Sequence, residues 1–348
     1  MYNYEKIPIY GGVFLLCKRI LWLALLMLVL PATSLAAENY AFCEPAYVGL
    51  YGRELDLSFK CIRAGSDADI LLVLDENGEV LCQRKFDSQQ KNGVFRIGIT
   101  EEMPQGQTIR LVLEKNGEHI LQDESILAAD AAKRDGLRIV ATDEKKIAIT
   151  FDTAGGLGKI PVLLDTLDTL DIKCTFFIQG ELILKHREWV SEIYARGHEL
   201  ANHSMLHPDM REASIQTIYR EITRCNELLE GITGQPVAYY RPPSGYYTYR
   251  DRAIGRALGC EMILWTFDSL DGFYESTREQ VMNVLRKKTE PGSIILMHTY
   301  GRHTISTLLE YVPELQSQGY EFVTVTELMP KGGVLDGDGV MRLPNNAE

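Results

Sequence analysis

The sequence predicts an α/β protein, a distorted (β/α)7 TIM-like barrel preceded by a small all-β, sandwich-like domain. Three observations carry that expectation. From residue 145 onward, short apolar runs alternate with amphipathic helical stretches, the pattern of a parallel sheet. Before residue 130 the runs are strand-like throughout and are broken by turn residues. The 348 residues exceed what one ordinary core needs, so two folded units are expected.

Residues 1–37 read as an export segment. Lys18 and Arg19 precede an uncharged, Leu-rich stretch, 20–37, that ends in small residues. Its apolar centre, 20–30, is shorter than the roughly 20 residues a membrane span prefers. Cleavage after Ala36 or Ala37 is therefore favoured, with an uncleaved anchor as the alternative. Either way the body is expected outside the cytoplasm, periplasmic or extracellular, with membrane contact only through an uncleaved segment. Of seven cysteines, Cys17 lies in this segment, Cys43, Cys61 and Cys82 in the β-rich part, and Cys174, Cys225 and Cys260 beyond it. An oxidising compartment permits a disulfide such as Cys43 to Cys61 or Cys61 to Cys82. The absence of Cys-x-x-Cys argues against a thiolate zinc site.

An apolar content of 45% supports a real core, and a net charge of -12 excludes a nucleic-acid partner, which needs a basic face. In residues 38–130 a hairpin is expected from 70–74 and 80–82 around Glu76-Asn77-Gly78, and another from 109–113 and 119–121 around Lys115-Asn116-Gly117. Residues 94–99 add a further strand. No cluster of histidines or carboxylates stands out here, so an accessory role is expected. Residues 131–144 read as a linker. The barrel, 145–328, has seven strand candidates, at 146–151, 174–178, 199–202, 238–240, 262–267, 293–297 and 321–325, with helical patterns between them. Periodicity then fades, so 329–348 is expected to be a flexible tail.

Chemically capable residues recur just after these strands: Asp152, His203, Arg241, Asp268 and His298. In a parallel barrel such positions converge on one mouth. His203 and His207 stand four residues apart, which on a helical turn brings two imidazoles within reach of one ion. Asp152 sits at a strand end before Ala154-Gly155-Gly156 and is the candidate general base. Arg241-Pro242-Pro243-Ser244-Gly245 has two prolines that would stiffen a loop holding a guanidinium and a backbone N–H in fixed directions. His198, at a helix-to-strand turn, suits a structural hydrogen bond better than catalysis.

Taken in order, Thr150-Phe151-Asp152, His203 to His207, Arg241 to Gly245, Asp268-Ser269-Leu270-Asp271 and Leu296-Met297-His298 resemble the motifs of the polysaccharide deacetylase, or NodB-homology, domain of carbohydrate esterase family 4. The resemblance covers roughly half of the chain. It implies a barrel that holds a divalent ion, zinc first with cobalt or nickel as alternatives, and hydrolyses an acetyl group, usually N-acetyl, from a cell-wall or exported glycan. By that resemblance Asp152 takes a proton from the attacking water, His203 and His207 hold the ion, and His298 protonates the leaving amine. Arg241 orients Asp152, Asp271 orients His298, and the backbone N–H of Ser244 helps to stabilise the oxyanion. Gly245 and Leu296 belong to the same substrate-facing motifs.

Two departures bear on the chemistry. The family usually has a second Asp after the base as a metal ligand, whereas this chain has Thr153, a further candidate donor of weaker character. Such a site is expected to hold its ion less tightly. The family also tends to place Trp where Gly272 follows Asp271, leaving a wall to be supplied by Phe273 or Tyr274. Two alternatives stay open: a silent carbohydrate-binding homologue, and a deacylase of another substrate such as an O-acetyl glycan or an N-formyl lipid sugar.

Overall fold

The computed structural model describes residues 39–343 apart from 64–68, 87–91, 116–117, 132–134 and 156. The export segment, the turn residues Asn116 and Gly117, and residues 344–348 lie outside the described residues.

The N-terminal part contains β1 (Asn39–Phe42), β2 (Ala46–Leu50), β3 (Glu54–Arg63), β4 (Asp69–Leu74), β5 (Val80–Phe86), β6 (Asn92–Gly98), β7 (Gly106–Lys115) and β8 (Glu118–Asp130). They form two sheets, ordered β1-β3-β6 and β2-β8-β7-β4-β5. Both expected hairpins are present as antiparallel pairs, β4 with β5 and β7 with β8. Side-chain alternation sorts the faces. Leu71 and Val73 point into a core with Leu57, Phe59, Phe95 and Leu111, whereas Leu72 and Leu74 pack with Val112 on the other face. Cys43 and Cys82 carry free thiols, and burial pushes that of Cys82 up to about 12.

Beyond β9 (Ile139–Val140) come β10 (Lys146–Thr153), β11 (Thr175–Ile178), β12 (Glu199–Asn202), β13 (Tyr239–Tyr240), β14 (Glu261–Met262), β15 (Phe267–Asp268), β16 (Ile294–His298) and β17 (Glu321–Phe322). The helices are α1 (Ile160–Thr169), α2 (Gly180–Lys185), α3 (Arg187–Ala195), α4 (Ile215–Thr233), α5 (Tyr249–Ala257), α6 (Arg278–Lys288), α7 (Thr304–Ser317) and α8 (Val325–Leu328). All strand pairs from β10 to β17 are parallel, in the order β14-β13-β12-β11-β10-β16-β15, with β17 beside the start of β10. The fifth expected strand is split: β14 pairs with β13, and β15 pairs with β16. The two ends of the curled sheet are thus one short stretch of chain, and the barrel closes through it.

Three expectations are corrected at this seam. In the expected linker, 131–144, the described residues 135–144 are not free, because Leu137 bridges Ile263 and Ile139 bridges Ser293, filling the gap where the fifth strand is split. In the expected tail, 329–348, the described residues up to 343 are not loose. β18 (Val334–Leu335) and β19 (Val340–Arg342) form a hairpin whose second strand pairs with β9. The Asp336 carboxylate fixes its turn by accepting the Asp338 and Val340 amides at 2.9 Å each. Finally, the two parts are not separate bodies, since Asn39–Glu348 is one compact unit. Ala46, Val48 and Ala128 of β2 and β8 belong to the barrel's outer core. Gly106 lies directly against Ala257 of α5, where a Cβ would collide with backbone.

One buried ion pair fastens this contact. Arg252 of α5 and Asp130 at the end of β8 meet at 2.7 Å with side chains 1% exposed, and Arg252 also donates to the Ala131 carbonyl at 2.8 Å. Losing one partner strands the other charge in the interior. Arg252→Ala is therefore expected to lower unfolding free energy by about 3–5 kcal/mol, read as the urea midpoint at unchanged slope. A midpoint shift equal to that of an exposed Arg→Ala change would show that the pair does not hold the two parts together.

Candidate active site

The carboxyl ends of β10, β12, β13, β15 and β16 bring Asp152, His203, Arg241, Asp268 and His298 to one mouth, as the sequence predicts. Arg241 is wholly buried. Its guanidinium donates to Asp152 Oδ1 at 2.8 Å, Thr150 Oγ1 at 2.9 Å, and the carbonyls of Ile263 and Leu264 at 3.2 and 2.7 Å. It lies 3.8 Å over the Phe177 ring. Burial alone would raise the Asp152 pKa, but the charged and hydrogen-bonded Arg241, with His298, holds the carboxyl below its ordinary value. Asp152 is an oriented, ionised carboxylate.

His203 Nδ1 lies 2.9 Å from the Arg241 carbonyl. A carbonyl only accepts, so Nδ1 carries the proton and Nε2, 3.5 Å from Asp152 Oδ2, keeps its lone pair. Burial, with smaller opposing effects from its neighbours, lowers the His203 pKa and keeps the ring neutral. The His207 ring stands 5.0 Å away, centroid to centroid. Their convergence does not come from a helical turn, which corrects the sequence expectation. The segment is a loop in which Ser204 and His207 adopt φ of 63° and 62°. That left-handed backbone is rare outside glycine and must be imposed by its surroundings. Asn202 Oδ1 accepts the Ser204 amide at 2.7 Å, Ser204 Oγ the His207 amide at 3.0 Å, and Glu221 Oε2 the Met205 and Leu206 amides at 3.0 and 2.7 Å.

Thr153 ends β10 fully buried, and its Oγ1 has no hydrogen-bond partner among the described residues. A buried hydroxyl without a partner is unusual and calls for an unseen one. A bare imidazole nitrogen whose ring is fixed by a backbone carbonyl, a second imidazole beside it and an unpartnered hydroxyl together fit a divalent ion of the zinc, cobalt or nickel type. Asp268, Asp271 and His298 also have potential ligand atoms within 4.8 Å of one another. They do not suit an ion, because Asp271 is already saturated. Its Oδ1 accepts from His298 Nδ1 and Ser269 Oγ, and its Oδ2 from the His298 amide and Thr304 Oγ1.

The Asp271–His298 contact of 2.9 Å fixes the ring so that Nε2 is the free nitrogen. Burial would lower the His298 pKa, but the Asp271 hydrogen bond and the charges of Asp271, Asp152 and Asp268 raise it above the ordinary value. Gly272 makes the ring's position possible, since a Cβ there would lie 2.7 Å from His298 Nδ1. A Cβ on Gly301 would likewise lie 2.7 Å from Asp271 Oδ2. Leu296, buried two residues before His298 on the same strand face, closes the floor. Ser244 stands exposed at the rim with φ 56°, and Gly245 with φ 68° leaves space for Trp265, whose ring a Cβ would meet at 2.5 Å.

Sequence reasoning misses the supporting residues Asn202, Glu221 and Asn226. The signal was readable in α4, whose buried stripe Ile218, Glu221, Ile222, Cys225, Asn226, Leu229 contains two polar residues where a helix core is apolar. Asn226 Oδ1 takes the Asn202 side-chain N–H at 2.6 Å, and Glu221 holds the histidine loop. Trp265 and Tyr300, whose ring is 5.0 Å from that of His298, carry no motif pattern. His198 is structural as expected: its Nδ1 accepts the Cys174 amide at 3.2 Å, and burial lowers its pKa to about 4.

The polysaccharide deacetylase family profile matches residues 139–263. A peptidoglycan-N-acetylglucosamine deacetylase of Bacillus cereus is 31% identical over 195 residues, 55% of this chain and 91% of the relative. PgdA of Listeria monocytogenes, named for the same activity, is 32% identical over 188 residues, 54% of this chain, and the match spans only 40% of that longer protein. The peptidoglycan-N-acetylmuramic acid deacetylase PdaA of Bacillus subtilis is 30% identical over 200 residues, 57% of this chain and 76% of PdaA. Its solved structure, described as a family 4 carbohydrate esterase, superimposes with a TM-score of 0.50 at 28% identity, covering 56% of this chain and 84% of that one.

NMR titration of the His298 imidazole is expected to give a pKa above the ordinary value of about 6.5, and Asp271→Asn to bring it down, because burial then acts without its opposing charge. A wild-type value at or below the ordinary one would remove His298 as a proton donor near neutral pH.

Proposed function

Because the chain belongs to the polysaccharide deacetylase family, we propose that it hydrolyses the acetamido group of an N-acetylated cell-wall glycan, releasing acetate and a free amine. The observation that carries the reading is the pairing of a carboxylate, Asp152 held by Arg241, with an imidazole whose pKa is raised, His298 held by Asp271, at one mouth. Amide hydrolysis needs both at once: a base to activate water and an acid for a poor leaving group. Asp152 takes the proton of a water attacking the acetyl carbon. The Ser244 amide, at the rim, donates to the carbonyl oxygen as negative charge develops there. The C–N bond then breaks as His298 Nε2 passes its proton to the departing nitrogen. His203 and His207, with the Thr153 hydroxyl as a further donor, would hold a divalent ion, which would supply Lewis acidity.

The same reading places the enzyme outside the cytoplasm, where such a polymer lies, and the support is the charged and apolar pattern of residues 1–37. A binding-only protein is the second reading, favoured by a hydroxyl in place of a carboxylate at Thr153. The assembled acid and base weigh against it, because a binder needs neither.

The purified protein is expected to release acetate from N-acetylated glycan oligomers, to stop on chelation, and to recover with zinc, cobalt or nickel. Failure on a broad glycan panel with every metal would leave the binding reading standing. Asp152→Asn is expected to lower turnover by about a hundredfold or more at unchanged metal content. An active Asp152→Asn variant would reassign the base.

A further inference from the structure

The loops that carry His298 and Asp271 end in a pair of side chains that the proposed chemistry leaves unused. Gly272 lies against the His298 ring and Gly301 against Asp271. Tyr274 is two residues beyond the first and Arg302 one beyond the second. The Arg302 guanidinium lies 4.6 Å over the Tyr274 ring, and Tyr274 is 75% exposed. The loop between them and the acid is tightly held. Thr299 Oγ1 donates to the Gly155 carbonyl at 3.0 Å, and Lys159 Nζ to those of Tyr300 and Gly301 at 3.0 and 2.9 Å.

A second stacked pair gives the contrast. Arg211 lies 3.8 Å over Tyr246, but it is bonded to both oxygens of Asp209 and so has its anion. Arg302 forms no ion pair among the described residues. A guanidinium whose charge is met only by a ring keeps N–H groups available, and its planar fork can take a carboxylate through two parallel hydrogen bonds. The surroundings make such a cation consequential. The chain carries a net charge of -12, so an exposed cation without an anionic partner beside the mouth stands out from its surroundings. A neutral sugar needs no cation at this edge.

We propose that Arg302, held by Tyr274, is a specificity residue that binds a carboxylate on the glycan close to the scissile acetamido group, so that the preferred substrate is an N-acetylated glycan bearing lactyl or comparable carboxylates rather than a neutral polymer. This rests on the deacetylase reading above and narrows its substrate.

The test uses a matched pair: a glycan of alternating N-acetylglucosamine and N-acetylmuramic acid, and the same glycan with its lactyl carboxylates converted to methylamides. The wild-type protein is expected to favour the acid form in kcat/KM by about tenfold, through KM rather than kcat, with a preference that fades as salt rises. Arg302→Ala is expected to bring the ratio of the two glycans close to one, and Arg302→Lys to keep only part of it, since an ammonium cannot make the paired contact. A wild-type ratio near one, or a ratio that Arg302→Ala leaves as it was, overturns the proposal while the deacetylase reading survives on acetate release alone. If neither glycan yields acetate, calorimetric binding of the two glycans to the same proteins decides. Tighter binding of the acid form that is lost in Arg302→Ala supports the carboxylate site, and equal binding overturns it.

Discussion

The structure turns on one buried cation. A guanidinium enclosed by protein is tolerable only if every N–H finds an acceptor and its charge an anion. Arg241 answers that demand with four hydrogen bonds to two parts of the barrel, Thr150 and Asp152 on β10 and the Ile263 and Leu264 carbonyls in the split fifth strand. The same contact that neutralises it fixes the base. Asp152 is thus both the counter-ion that makes the buried guanidinium tolerable and the proposed base, and the two duties cannot be separated by mutation. The Arg241 carbonyl adds a third role by setting the His203 tautomer.

On the other side of the mouth the logic is reversed in sign. Asp271 is the buried carboxylate, satisfied by four hydrogen bonds, and it favours the protonated form of His298. Each pair gives one working atom to the site and keeps its supporting partner out of reach of solvent. Glycines at 272 and 301 let the second pair close to contact distance. A bulky residue at 272, the family's habit, would need a different path for the ring.

Much of this was legible because barrels put function at strand ends, where period-two runs stop and a single polar residue stands out. Asp152, Arg241 and His298 were found that way, and motif order then joined Asp271 to His298. What escaped is instructive for physical reasons. The histidine loop reaches its shape through left-handed residues at 204 and 207, which spacing cannot distinguish from a helical turn. The props Glu221 and Asn226 sit inside a helix whose apolar period remained strong enough to hide them. The split fifth strand looked continuous because Ile263 and Leu264 are as apolar as their neighbours, although their backbone serves Leu137 and Arg241 rather than a ladder. The segments on either side of the barrel were read as loose because runs of two or three strand residues are too short to show a period.

The seam formed by those segments ties the beginning of the barrel to its end. β9 pairs with β19, and Leu137 lies beside Ile263 and Ile139 beside Ser293. These partners are separated by more than a hundred residues of chain, so loop closure comes first and its reward only afterwards. During synthesis, which runs from the amino end, residues 137 and 139 that fill the gap emerge before the strands they join, whereas β19, the partner of β9, emerges after every β/α unit. Until then the free edge of β9 remains open to pairing with another chain. The hairpin at the carboxyl end therefore acts as a latch in time as well as in space: its arrival covers the strand that bridges the gap, and the growing chain is most exposed at that edge just before it.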